Sequence, residues 1–259
     1  MRVYNKVFAA FCLMLGCTSG FAQGVSGPQL YNMGFDEWTK VRKQWCLYGE
    51  GATEAEKAVW GTANKGLSLL GINGTTPEEE FVAVPGPGKK AARLQSRKVV
   101  WAFAAGNIYN GQWVRIINFS GAEITWGTPF KARPKSLSGY YCYKPKPIKH
   151  TKPQADLSAG DMDEGRIEVI LTDWDKPFHV ITNDDKFVDK EGDSGIIGYG
   201  TIVLRKANNG YVHFDLPIQY RNSRTPKYVV VVCAASRCGD YFTGGDGTVL
   251  YVDEFQFNY

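Results

Sequence analysis

The run 248–258 (TVLYVDEFQFN) constrains the fold more than any other stretch, because its side chains alternate with a period of two. That period marks a half-buried strand. On strict alternation Tyr251, Asp253, Phe255, Phe257 and Tyr259 share a face, and that face has to point into a core. A carboxylate among four aromatics must be hydrogen-bonded, ion-paired or bound to a cation, since an unpaired buried charge is too costly. Such a strand cannot fold alone, so the preceding chain must supply its partners.

Turn chemistry separates further strand-like runs at 98–104, 112–119, 138–144, 166–174, 196–206, 211–220 and 227–236. Residues 211–220 alternate cleanly, with Val212, Phe214, Leu216, Ile218 and Tyr220 inward and Pro217 marking an edge or bulge. The run YVVVVCA at 228–234 is apolar on both faces and reads as a central, doubly covered strand. Asn208-Asn209-Gly210 is a hairpin signal between 196–206 and 211–220. Thr53 and Glu56 form a capping box ahead of a short helix at 55–60. The expectation is an all-β chain: a two-sheet antiparallel β-sandwich with at most one or two short helices.

Residues 1–22 read as a signal peptide: Arg2 and Lys6, an apolar run at 7–16, then small residues before Gln23. The run is too short to cross a bilayer, which takes about 20 residues. A rival reading is an imperfect lipoprotein box, Met14-Leu15-Gly16-Cys17, with a lipid on Cys17. Either way the destination is extracytoplasmic, and residues 23–259 form one domain with no transmembrane segment. Loss of Arg2 and Lys6 lowers the formal charge from +4 to +2, which excludes a polycation and argues against a nucleic-acid partner. Four cysteines then remain. Cys233 and Cys238 can close a small loop, leaving Cys46 with Cys142; the alternative is four free buried thiols. With no CxxC and three His, a zinc site is not expected.

Several stretches together resemble the putative carbohydrate metabolism domain of Bacteroides-type bacteria. They are FDEW at 35–38, AAGNIYNGQW at 104–113, WGTPFKARPKSLSGYYCYKP at 126–145, LTDWDKPF at 171–178, YGTIVL at 199–204, LPIQY at 216–220 and GDYFTGGDGTVLYVDEF at 239–255. The resemblance implies a jelly-roll sandwich in exported proteins, similar in shape to carbohydrate-binding modules. It carries no established reaction. Asn32-Met33-Gly34-Phe35-Asp36 and Tyr251-Val252-Asp253-Glu254 are also similar to paired terminal segments of jelly-roll modules, which lie side by side around a structural calcium. That resemblance implies Asp36 and Asp253 as metal ligands; the alternative is that Asp253 caps backbone N–H groups without metal.

A polysaccharide or glycan partner needs flat rings for sugar faces and a few polar groups for the hydroxyls. The candidates are Trp113, Tyr141, Tyr143, Trp174, His213 and Tyr241, with Arg115, Asn107 and Asp240 as polar neighbours. A glycoside hydrolase would need two facing carboxylates. Candidates are Glu168, Asp173, Asp175, Asp215, Asp240 and Glu254, with Glu168 and Asp215 able to pair across strands. A non-catalytic glycan-binding domain is the leading expectation; a glycoside hydrolase and a structural or adhesive surface protein are the alternatives.

Overall fold

The computed structural model describes residues 27–99, 102–117 and 121–259. The signal-peptide reading of 1–22 and the rival lipid site at Cys17 lie outside the described residues. The chain opens with the hairpin β1 (Thr39–Val41) and β2 (Gln44–Cys46), followed by α1 (Glu54–Lys57) and β3 (Trp60–Gly61). Next come α2 (Asn64–Leu67), β4 (Thr75–Glu78), β5 (Ala91–Gln95), β6 (Arg97–Val99) and β7 (Ala102–Ala104). Then follow β8 (Asn107–Ile117), β9 (Gly121–Trp126), β10 (Thr128–Pro129), β11 (Ser136–Lys144), β12 (Gly165–Thr172) and β13 (Phe178–Ile181). The last strands are β14 (Ile196–Leu204), β15 (Val212–Pro217), β16 (Gln219–Tyr220), β17 (Tyr228–Ala234) and β18 (Val249–Asn258).

Two antiparallel sheets face each other. The larger has the order β13-β9-β8-β17-β12-β14-β16, with β10 beside β17 and β3 beside β8. The smaller has the order β15-β11-β18-β5-β4. Between them lies the main apolar core, with Ile167, Val169 and Leu171 of β12 and Val229, Val231 and Cys233 of β17 from the larger sheet. Leu137, Tyr143, Leu250, Val252, Phe255 and Phe257 project from the smaller one. The expected β-sandwich is therefore present, and β17 is the doubly covered central strand: Val230 and Val232 sit in a second cluster on its outer side. The capping box is also present. Thr53 Oγ1 accepts from Glu56 N and Glu56 Oε2 accepts from Thr53 N, although the helix stops at Lys57 and Trp60 begins a strand.

The last strand departs from strict alternation. Glu254 adopts φ +48°, and the pairing with β11 slips between Ser138 and Tyr140. Two residues of β18 oppose one of β11, which is a β-bulge. The bulge turns the strand by one residue. Leu250 and Val252 before it, and Phe255 and Phe257 after it, all enter the core, whereas Tyr251 and Asp253 face outward. Gly139 makes room for this, since a Cβ there would meet the Phe255 ring at 2.5 Å. The freed Phe255 N–H donates to Met33 O at 2.9 Å, so the two terminal segments lie side by side, as the resemblance implies.

Two other expectations change. In place of one strand at 98–104 there are two, β6 and β7, paired with each other. The segment after Asn208-Asn209-Gly210 does not form a tight hairpin with β14: β15 joins the smaller sheet beside β11, and only after Pro217 does the chain return to the larger sheet as β16, which pairs with the other end of β14. Asn208 serves the β11 edge instead, accepting from Tyr143 N at 2.6 Å and donating to Tyr141 O at 3.3 Å. Val212 is exposed, because the β15 end that carries it is an open sheet edge.

Candidate functional site

The strand β12 carries the central signal. Its Ile167, Val169 and Leu171 point into the core, so Arg166 and Glu168 must point out of the other face of the larger sheet. Thr201 of β14 lies directly opposite Glu168 and Val203 opposite Arg166. The chain from 174 to 190 then folds back over that face: Trp174, Phe178, Phe187 and Val188 pack on the outer apolar cluster. What stays uncovered is a cleft of about 480 Å³ between this flap, the 237–241 turn and the 154–156 loop.

The cleft is polar at its floor and aromatic at its rim. Glu168 is 1 % exposed, and its Oε2 accepts from Thr201 Oγ1 at 2.7 Å and from the Lys190 ammonium. Burial opposes its ionisation, but Arg166 and Lys190 outweigh that and hold its pKa below the usual carboxylate value. Arg166 is likewise penalised by burial and kept charged by Glu168 and Asp240, whose Oδ2 lies 3.3 Å from Nη2. Arg237 pairs with Asp156 and with Glu164 Oε2 at 2.8 Å. The Tyr241 ring meets Phe187 edge-on at 5.1 Å. Two buried donors, Trp126 Nε1 and Arg166 Nε, have no acceptor among the described residues. A buried donor left unpaired costs about 1–3 kcal/mol, and both atoms are closed off from the open cleft.

The comparisons give this cleft a context. The model of the putative carbohydrate metabolism domain matches residues 34–258. The chain belongs to that family. A crystal structure of a putative glycoside hydrolase from Bacteroides thetaiotaomicron is similar to it with a TM-score of 0.67, at 20 % identity over 91 % of this chain and 72 % of that one. Another putative glycoside hydrolase, from Bacteroides vulgatus, gives a TM-score of 0.65 at 19 % identity over 89 % of this chain and 98 % of that one. At such identities the likeness is one of fold. Among curated proteins none matches.

Within this carbohydrate metabolism domain, Glu168, Asp240 and Tyr241 come together in the cleft. Trp113 and Asn107 line a separate apolar groove that also touches Asp240. Asn107 is partly committed, its Oδ1 accepting from Ala63 N at 3.0 Å. Arg115 is held by Glu123 at 2.7 Å, and Trp174 donates to Asp193 Oδ2 at 2.8 Å. Tyr141 packs on the main core, and His213 lies on the smaller sheet against Tyr140 at 5.1 Å. Tyr143 is no ligand platform: it is wholly buried in the main core, with its hydroxyl on Ala235 O at 3.0 Å.

The other carboxylates are dispersed. Asp215 stands on β15 of the smaller sheet and is exposed, so the expected pairing with Glu168 is excluded by the core between them. Asp173 pairs with Arg224 at 2.6 Å and Asp175 with Lys227 at 2.8 Å. The outward turn at the bulge separates the tasks of Asp253 and Glu254. Asp253 Oδ2 accepts from Ala83 N at 2.7 Å while Oδ1 has no partner among the described residues, and burial pushes the group up to about 7. Asp36 and Glu254 instead share the Lys89 ammonium, at 2.9 and 2.5 Å. The residues present do not fit a calcium ion. An ammonium holds the place between the carboxylates, and among the described residues no three His, Cys, Asp or Glu groups gather as a metal site.

All four cysteines beyond residue 22 are free thiols, so neither expected disulfide forms. Cys233 points into the inter-sheet core, whereas Cys238 turns to the outer face and donates to Asp156 Oδ1 at 3.2 Å. Cys142 donates to Asn208 O at 3.4 Å, and Cys46 sits on the β1–β2 hairpin. Burial pushes the Cys238 thiol up to about 12, which makes it unreactive at neutral pH.

Trp126, Asp156, Arg166, Phe187, Lys190, Thr201 and Arg237 are among the cleft residues that reading the sequence missed. One signal was available: Arg166 and Glu168 are two charges at period two inside the otherwise apolar strand GRIEVILT.

Proposed function

We propose that this domain is an exported, non-catalytic glycan-binding module whose saccharide sits in the Arg166–Glu168–Tyr241 cleft. The observation that carries this reading is a ligand-sized cleft with the charged Arg166, Glu168 and Asp240 at its floor and the Tyr241 and Phe187 rings at its rim. Sugar hydroxyls are acceptors as well as donors, so they suit both the ionised Glu168 and the guanidinium groups of Arg166 and Arg237. Tyr241 and Phe187 give the apolar surface on which a pyranose face rests. A glycosidase acid needs a raised pKa, and Glu168 is shifted the other way by its two cations. The hydrolase reading keeps one favourable observation, that Glu168 and Asp240 flank Arg166 in the same cleft.

The test is affinity electrophoresis of the chain from Gln23 through a panel of host and plant polysaccharides, with assay of released reducing ends. Retardation by at least one polysaccharide, reduced roughly tenfold in affinity by Tyr241→Ala, with no new reducing ends, is expected. Reducing ends that vanish in both Glu168→Gln and Asp240→Asn would make the domain a hydrolase. Unaltered migration in every polysaccharide would overturn the carbohydrate reading.

A further inference from the structure

Among the described residues, the cleft is lined by as many negative groups as positive ones: Asp156, Glu168 and Asp240 against Arg166, Lys190 and Arg237. Each of the three cations already has a counter-ion. Lys190 sits on Glu168, Arg166 lies between Glu168 and Asp240, and Arg237 is answered twice. Its Nε donates to Glu164 Oε2 at 2.8 Å. Its Nη1 donates to Asp156 Oδ2 at 3.1 Å and its Nη2 lies 3.0 Å from Asp156 Oδ1, the two-pronged contact by which an arginine takes up a carboxylate. Asp156 Oδ1 also accepts from the Cys238 thiol at 3.2 Å. Arg237, and after it Cys238, hold the Asp156 carboxyl below the usual carboxylate range, so it is ionised.

Asp156 reaches Arg237 from a loop whose two legs are fastened by the backbone. On the outgoing leg His150 pairs with Gly244, and Lys152 N donates to Thr243 Oγ1 at 2.9 Å. Ala155 N then closes a turn on Lys152 O at 3.0 Å. On the return leg Asp161 O accepts from Ile148 N at 2.8 Å, and Met162 pairs with Pro147. The carboxylate is thus brought to the cleft by the loop as well as by its attraction to Arg237. Its side chain is 68 % exposed, against 21 % for Arg237 and 16 % for Arg166, so an incoming ligand meets the acid before the cations. An arginine has five N–H groups, and Glu164 and Asp156 engage three of those on Arg237. Donors therefore remain for a hydroxyl, but no unanswered charge remains for an anion. A sugar carboxylate would have to displace Asp156 and would then face Asp240 and Glu168, a like-charge opposition of the kind that rejects wrong partners.

We infer that the cleft selects uncharged sugar residues, and that Asp156 determines this specificity by occupying the face of Arg237 that an anionic sugar would need. The inference rests on the glycan-binding reading above and names the ligand class of that site. Two measurements test it. The first is affinity electrophoresis at about 0.15 M salt, where bulk charge is screened, with neutral polysaccharides set against uronate and sulfated ones. The parent should be retarded by a neutral polymer only. Asp156→Ser, at an exposed position that leaves the fold intact, should gain at least tenfold in affinity for a uronate polymer such as polygalacturonate. Asp156→Glu keeps a carboxylate and should reject uronates as the parent does. The second measurement needs no polysaccharide: sodium glucuronate at about 10 mM should raise the Tm of Asp156→Ser by roughly 1–3 °C and leave that of the parent unchanged. A parent retarded by an anionic polymer as strongly as by any neutral one overturns the inference and leaves the glycan reading standing. An Asp156→Ser protein that gains neither uronate retardation nor glucuronate stabilisation does the same. Retardation of the parent by no polysaccharide overturns the glycan reading, and the inference falls with it whatever glucuronate does to Asp156→Ser.

Discussion

Two buried carboxylates, one on the outer side of each sheet, have been given opposite electrostatic lives. Glu168 on the larger sheet is 1 % exposed and Asp253 on the smaller sheet 2 %, so burial penalises both. Glu168 is answered by Arg166, Lys190 and Thr201 and stays ionised. Asp253 is answered only by the backbone N–H groups of Ala83 and Glu254, and the negative Glu254 and Asp36 side chains add to the penalty, so burial pushes its pKa up to about 7. Depth alone therefore decides nothing; the neighbours decide whether a buried acid is a poised charge or a reluctant one. The cations around Glu168 are also what the cleft offers to a ligand, whereas Asp253 lies under the 81–83 loop, with Phe81 stacked on Tyr211 at 4.7 Å.

The comparison breaks most visibly at Arg166. Arg166→Met removes a buried cation and leaves Glu168 with Lys190 alone, which should cost roughly 3–5 kcal/mol. Read by thermal unfolding, that is a fall in Tm on the order of 10 °C for a chain of this size. The double variant Arg166→Met, Glu168→Met should recover most of the loss, because a well-packed apolar pair replaces the ion pair. If the single variant unfolds like the parent, the cations do not sustain Glu168 as described.

Asp253→Asn should move stability the other way. A carboxyl whose folded pKa, about 7, exceeds its unfolded value of about 3.9 contributes stability only while protonated. That contribution is complete below pH 4 and is lost as pH rises through 7. The asparagine keeps the acceptor for Ala83 N and carries no charge, so it should stabilise the fold by roughly 1–3 kcal/mol at pH 8 and by little at pH 4. Urea melts of both proteins at the two pH values measure this directly. A gain that does not depend on pH would mean that the aspartate's charge is not what burial penalises.

The same two residues show what could be read from the sequence. The sandwich was legible because 228–234 and 248–258 carry their burial pattern in their apolar spacing. The bulge was not, since the alternation of β18 runs unbroken through Glu254, and the one sign of it is a glycine at 139 on a different strand. Asp253 was thereby assigned to the aromatic core face when it faces away from it. At the cleft, Glu168, Asp240 and Tyr241 were among the candidates, but their meeting depends on how β12 and the 237–241 turn come together. No local pattern encodes that distance, and nothing in the sequence around Asp215 shows that it stands on the opposite sheet from Glu168.

The smallest effect belongs to Lys89, and it sharpens the contrast from the side of Asp253. Its ammonium stands between Asp36 and Glu254, where the terminal segments would otherwise bring two negative charges together. The three side chains are 26–34 % exposed, so solvent screens the pairs and each contributes at most about 1 kcal/mol. Lys89→Met should therefore lower Tm by only a few degrees. It should also raise the pKa of Asp253 further, because Glu254 and Asp36 would then act on it without a counter-ion. The parent protein should show the same Tm in calcium and in EDTA, since its own ammonium occupies the place between the carboxylates. Calcium should begin to stabilise only in Lys89→Met, where two carboxylates are left without a cation. A calcium-dependent Tm in the parent would show that the metal displaces Lys89, and the terminal segments would then be held by an ion rather than by the chain itself.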